Sequence, residues 1–160
     1  MTIKIGDRLP SMKIMLAGSE GPEETTTDAV FAGHKAVLFA VPGAFTPTCS
    51  ERHLPGFLEQ LDDLAAKGAS PIVCLAVNDV FVMRAWAKQT GAEGKLTMLA
   101  DGSGQLTHQL GLELDLTARG LGMRAQRFAM IVDDMKVTHL AIEPPGGYGV
   151  SSAEQVLAAL

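Results

Sequence analysis

The segment Val41-Pro42-Gly43-Ala44-Phe45-Thr46-Pro47-Thr48-Cys49-Ser50 carries one cysteine out of an apolar strand and into the first turn of a helix. The run before it, Ala36-Val37-Leu38-Phe39-Ala40-Val41, is short, apolar and partly β-branched, as a buried strand requires. Pro42-Gly43 breaks that run. Thr46-Pro47 reads as an N-cap followed by proline at the first helical position. Cys49 then falls in the first turn, where backbone N–H groups lack partners and the helix dipole favours an anion. A free thiol is roughly 3% thiolate at pH 7. The sequence therefore predicts a cysteine whose thiolate is favoured locally. A helix terminus supplies only about 0.3–2 kcal/mol, so a cation from elsewhere in the fold is expected to help.

The rest of the chain alternates strands and helices outward from that turn. Lys13 to Leu16 reads as a short strand, and Gly18 to Asp28 as a polar loop or hairpin. The helix after Thr46 is predicted over 47–66, kinked at Pro55, which cannot donate to the Glu51 carbonyl, and closed by Gly68. Pro71 to Val77 is a second buried strand containing Cys74. Asn78 or Asp79 caps a helix over 79–90 with Val80, Met83, Trp86 and Ala87 at core spacing. Leu96 to Ala100 is a third strand, followed by a short helix near 105–110. Gln126 to Val132 and Lys136 to Ile142 form a hairpin turned at Asp133-Asp134. Ser151 or Ser152 caps the last helix. This order predicts a single α/β domain over 1–160, with a mixed central β-sheet flanked by helices. A cysteine at the end of the first central strand, opening a helix, is the thioredoxin-like arrangement. The second cysteine of a CxxC pair is missing, since Cys49 is followed by Ser50-Glu51-Arg52. One nucleophile remains.

Composition sets the outer bounds. The chain has 160 residues, 47% of them hydrophobic and 19% charged, which suits one globular domain. A formal charge of −5 without a basic run argues against a nucleic-acid surface. No apolar stretch approaches the ~20 residues of a membrane span. The first residues lack the apolar core of a signal peptide, which makes a cytoplasmic location the expectation. Two cysteines do not make a disulfide framework, and four scattered histidines show no metal-ligand spacing. Cys74 reads as structural. His53, four residues after Cys49, shares a helix face with it and reads as a packed histidine before a thiol-tuning one.

Pro42 to Cys49 resembles the peroxiredoxin signature Pro-x-x-x-Thr-x-x-Cys. The segments His53-Leu54-Pro55-Gly56-Phe57, Val77-Asn78-Asp79, Leu99-Ala100-Asp101-Gly102 and Arg127-Phe128-Ala129 are similar to the type-five, or plant type-II, subfamily. The resemblance implies a thiol peroxidase with one essential cysteine and no bound cofactor. It implies that Cys49 attacks hydrogen peroxide or alkyl hydroperoxides and becomes a sulfenic acid. Thr46 would hydrogen-bond thiolate and peroxide, Arg127 would stabilise the developing charge, and Pro42 would shield the sulfur from water. Arg124 is a second candidate cation, or a solvated surface arginine. Some type-five members carry a resolving cysteine near the position of Ser151; the serine here implies an external thiol instead. Glutathione with glutaredoxin is favoured, thioredoxin is the alternative, and a homodimer is expected. A redox relay passing oxidation to a partner protein, and a cysteine hydrolase using Cys49 and His53, are the competing readings.

Overall fold

A computed structural model describes all 160 residues. Its frame is a seven-stranded mixed sheet in the order β2-β1-β5-β4-β3-β8-β9. The centre is parallel: β3 (Lys35–Ala40) runs beside β4 (Ile72–Ala76), and β4 beside β5 (Thr97–Ala100). Around it, β1 (Lys13–Gly18) joins β5 and β2 (Gly21–Thr26), while β8 (Phe128–Asp133) joins β3 and β9 (Lys136–Ile142), all antiparallel. The polar 18–28 segment is thus a hairpin arm, with Gly18 opposite Gly21, followed by a short helix α1 (Thr27–Phe31) that the sequence did not announce.

The alternation of β3 sorts its side chains between two cores. Val37 and Phe39 face one side, with Cys49, Phe57, Cys74 and Trp86. Ala36, Leu38 and Ala40 face the other, with Leu75, Leu99 and Phe128. Every residue of β4 is buried, as expected of a parallel strand covered on both faces. Helices α4 (Val80–Thr90) and α6 (Ala153–Ala159) cover the first core through Val80, Met83, Trp86 and Val156. Their starts match the sequence: Asp79 accepts from the Val82 amide at 2.9 Å, and Ser152 from that of Gln155 at 3.3 Å. Helix α5 (Gln105–Leu110) lies where the sequence placed it. A second small sheet, β6 (Glu113–Leu116) with β7 (Gly122–Ala125), was not foreseen.

The helix after the cysteine departs from expectation. Cys49–His53 forms one wide turn, in which the Leu54 amide reaches the Cys49 carbonyl. The chain continues as α2 (Leu54–Glu59) and α3 (Leu61–Ala66), broken at Gln60. Proline at 55 cannot donate to the Glu51 carbonyl, and the wider turn just upstream takes up that mismatch. The predicted kink is therefore a widened turn and a later break. Widened turns of this kind gather at functional sites, and this one carries both Cys49 and His53.

Candidate active site

Three elements bring the site together. The widened turn after β3 supplies Cys49 and His53. Arg127 arrives from one residue before β8, at the far side of the β3–β8 ladder. The 143–151 segment, between β9 and α6, closes over them.

Arg127 Nη2 donates to Cys49 Sγ at 3.1 Å, and its Nη1 lies 3.0 Å from His53 Nδ1. The other ring nitrogen of His53, Nε2, lies 2.9 Å from the Ser151 carbonyl oxygen. A guanidinium only donates and a carbonyl only accepts, so the tautomer follows: Nδ1 is the bare acceptor and Nε2 carries the proton. Burial lowers the His53 pKa to about 3, and the Arg127 charge acts in the same direction. The ring is therefore neutral at physiological pH. It packs against the stacked Phe39–Phe57 pair, at centroid distances of 5.0 and 5.6 Å, with the Tyr148 ring edge-on at 5.4 Å. His53 is thus a packed histidine that also fixes the orientation of Arg127.

The ion pairs of the chain are Lys4–Asp7, Arg8–Asp28 and His108–Glu113, all remote from this site. Arg127 has no carboxylate at ion-pairing distance. Its two named acceptors are a neutral imidazole and a sulfur. The guanidinium therefore turns its charge toward the sulfur with no carboxylate competing for it.

The turn before Cys49 is held by polar bonds. The Ala44 amide donates to Asn78 Oδ1 at 2.9 Å, and Phe45 sits in the left-handed region at φ 65°. Thr46 Oγ donates to the Gly43 carbonyl at 2.6 Å. Its side chain therefore does not cap the helix, although Thr48 already has helical dihedrals. Nor does the hydroxyl proton reach Sγ here; toward a substrate it leaves only acceptor lone pairs. Arg124 spans outward, donating to the Leu121 carbonyl at 2.8 Å and the Pro42 carbonyl at 3.4 Å, away from the sulfur. A Cβ at 43 would stand 2.9 Å from Arg124 Nη1 and 3.2 Å from Thr46 Cγ2, so a side chain there would displace the arginine tip. Trp86 Nε1 donates to Ser50 Oγ at 3.0 Å, which ties the lone tryptophan to the residue beside Cys49.

A cavity of about 240 Å³ opens above Arg127, walled by Pro42, Thr48, Leu114, Glu143 and Pro144. Cys49 itself is fully buried. Cys74 is equally buried, on β4, and burial raises its thiol pKa well above the ordinary value. Both cysteines are free thiols. No cluster of His, Cys, Asp or Glu is arranged to hold a metal ion. Both ring nitrogens of His53 are engaged elsewhere, so it forms no dyad with Cys49 of the kind a hydrolase needs.

Sequence reasoning singled out Cys49, Thr46, Arg127 and Pro42: Arg127 meets Cys49 and shares a cavity wall with Pro42, while the Thr46 hydroxyl turns to the Gly43 carbonyl. It missed Asn78, Ser151 and Glu143 as supports, because nothing local marks a residue that acts through a bond to a distant segment. Ser151 stood out in the sequence only as a candidate helix cap and for the cysteine it replaces.

Comparisons with known proteins cover nearly the whole chain. Residues 4–157 match the Redoxin family model, which defines a thioredoxin-like class of redox protein. Peroxiredoxin-2B of Arabidopsis thaliana is 47% identical, across 99% of this chain and 98% of its own. Reduced Prx3 of Vibrio vulnificus, solved in complex with hydrogen peroxide, superposes with a TM-score of 0.94 at 47% identity, covering 99% of each chain. Peroxiredoxin 5 of Alvinella pompejana follows at a TM-score of 0.87 and 36% identity, covering 98% of this chain and 97% of its own. The chain belongs to the peroxiredoxins, within the type-II/type-five subfamily, and is a thiol peroxidase.

Proposed function

We propose that this protein reduces hydrogen peroxide and alkyl hydroperoxides through one cysteine, and that an external thiol restores it. The observation that carries the reading is the Arg127 guanidinium, 3.1 Å from Sγ and without a carboxylate partner. Cys49 reacts as the thiolate. Its sulfur attacks one peroxide oxygen, the O–O bond breaks, and sulfur becomes sulfenic acid. The departing oxygen leaves with its electron pair and takes a proton to become water or an alcohol. Arg127 acts where negative charge passes from sulfur to the departing oxygen, as fixed donors do in a site closed to water. Its planar fork can face sulfur and oxygen together. Thr46 accepts from the peroxide O–H, since its own proton is held by Gly43. Pro42, in the cavity wall, keeps bulk water from the sulfenic acid.

A first thiol condenses with the sulfenic acid, forming a mixed disulfide and releasing water; a second thiol frees Cys49. Glutathione with glutaredoxin is the favoured source and thioredoxin the lesser one. Ser151 stands near the position where some relatives have a second cysteine, and Cys74 is locked in the sheet; both support an external reductant. A relay to a partner protein would use the same sulfenic acid, and a stable mixed disulfide with a non-reductase partner alongside negligible turnover would favour it. Phe45 and Phe81 are both exposed, one residue past Ala44 and three past Asn78, whose Ala44–Asn78 bond joins their segments, and apolar side chains left in solvent there support a homodimer. Free thiols throughout suit a reducing compartment such as the cytoplasm.

Turnover of hydrogen peroxide with glutathione and glutaredoxin tests the reading. Cys49→Ser should abolish it and Cys74→Ser should largely keep it. Full activity in the Cys49→Ser protein refutes the proposal.

A further inference from the structure

We propose that Glu143 is a positioning residue for Cys49 chemistry: its carboxylate sets the Ser151 carbonyl, that carbonyl fixes the His53 imidazole, and the imidazole aims Arg127 at the sulfur. The proposal rests on the peroxidase reading and adds a residue outside the signature motif.

One oxygen does most of the holding. Glu143 Oε2 accepts from the Gly149 amide at 2.7 Å, the Ser151 amide at 2.8 Å and the Ser151 hydroxyl at 2.7 Å. Glu143 is 6% exposed, and no lysine or arginine pairs with it. A buried carboxylate without a counter-ion is costly unless hydrogen bonds hold its charge. Burial pushes its pKa up, and the bonds from Ser151, Gly149 and Val150 outweigh that and bring it below the usual range. The charge is thus held by the backbone of the very turn it shapes.

That turn leads directly to the sulfur. The Ser151 carbonyl lies 2.9 Å from His53 Nε2, His53 Nδ1 lies 3.0 Å from Arg127 Nη1, and Arg127 Nη2 lies 3.1 Å from Sγ. Each contact constrains the next. The carbonyl places the ring proton on Nε2, which leaves Nδ1 bare for the guanidinium. Glu143 reaches Arg127 by a second route as well, since its own amide donates to the Arg127 carbonyl at 2.9 Å. The two residues are neighbours just past the β8–β9 pair Phe128–Ile142, and both line the same cavity. Loss of the carboxylate frees the 149–151 turn, so that the Ser151 carbonyl no longer dictates the tautomer or tilt of His53.

Two measurements on Glu143→Ala and Glu143→Gln test this. The first is the rate of Cys49 oxidation by hydrogen peroxide, followed by stopped-flow fluorescence of Trp86, whose Nε1 bonds to Ser50. The second is the ¹⁵N spectrum of the His53 ring, which separates the Nε2–H tautomer from its alternative. Glu143→Ala should oxidise about tenfold more slowly or worse, as misplacement of a catalytic group predicts, and should lose the pure Nε2–H signature. Glu143→Gln keeps one carbonyl oxygen for the turn and should recover part of both. An unchanged rate in Glu143→Ala overturns the proposal, and so does a reduced rate with an unaltered ring spectrum. Should Glu143→Ala fail to fold, Glu143→Gln carries the same pair of measurements, with an expected loss of about threefold. If the wild-type protein itself does not react with peroxide, the peroxidase reading falls instead, and the ring spectrum still reads the coupling.

Discussion

Acidification should unfold this protein partly through His53, by an amount that can be worked from the site. In the folded chain the ring is fully buried beside Arg127, and its pKa is lowered from 6.5 to about 3. In the unfolded chain it titrates near 6.5. A depressed folded-state value means that the unfolded state binds the proton first as pH falls. The stabilisation is complete above 6.5 and is lost progressively down to about 3. Between pH 7 and pH 5 the unfolded ring gains most of a proton and the folded ring gains almost none. At about 1.4 kcal/mol per unit, this removes about 2 kcal/mol. Other groups titrate over the same interval, so the control is His53→Gln, which has no proton to gain. Urea unfolding at pH 7 and pH 5 should show the wild type losing about 2 kcal/mol more than His53→Gln between the two conditions. Equal losses in the two proteins would show that the ring is not held neutral against the guanidinium, and the tautomer argument for the site would fail with it.

The remaining predictions concern the sulfur and its supports. Arg127→Lys should slow Cys49 oxidation by about 100-fold, because an ammonium on a flexible stem cannot bridge Sγ and His53 Nδ1 as a fork does; stopped-flow Trp86 fluorescence measures it, and a change under threefold contradicts the assigned role. Cys74 should resist a thiol-reactive dye in the folded protein and react on denaturation, given its burial and raised pKa. Rapid native labelling at Cys74, located by peptide mass, would show the strand to be open. Ser152→Ala removes the cap on the Gln155 amide and should lower stability by about 1 kcal/mol without changing the oxidation rate; a loss of rate there would link α6 to the site.

Much of the site was legible because it is local. Proline, threonine and cysteine between residues 42 and 49 share one turn, and a strand followed by Thr-Pro fixes where that turn opens. Within it, Thr46 misled: its side chain looked like a helix cap but donates to Gly43 instead. A threonine hydroxyl has one proton and several acceptors in reach, and local sequence does not rank them. Pro55 told of a disturbed helix, but whether the strain emerged as a kink or as a widened turn depended on packing around Cys49 and His53. The β6–β7 hairpin escaped because Glu113–Leu116 and Gly122–Ala125 are four residues each and mostly half exposed, so the alternation of Leu114 and Leu116 is too brief to announce a strand.

Buried strands, capped helix starts and the first-turn cysteine follow from the sequence itself, since periodicity and turn chemistry act over a few residues. The meeting of Arg127, His53, Ser151 and Glu143 at the sulfur does not. Those four lie up to 98 residues apart in hydrogen-bonded pairs, and only the antiparallel return of β8 and β9 beside β3 puts them within bonding distance. A guanidinium takes its orientation from whichever acceptors the closed fold leaves beside it, and the chain must be folded before those acceptors have positions.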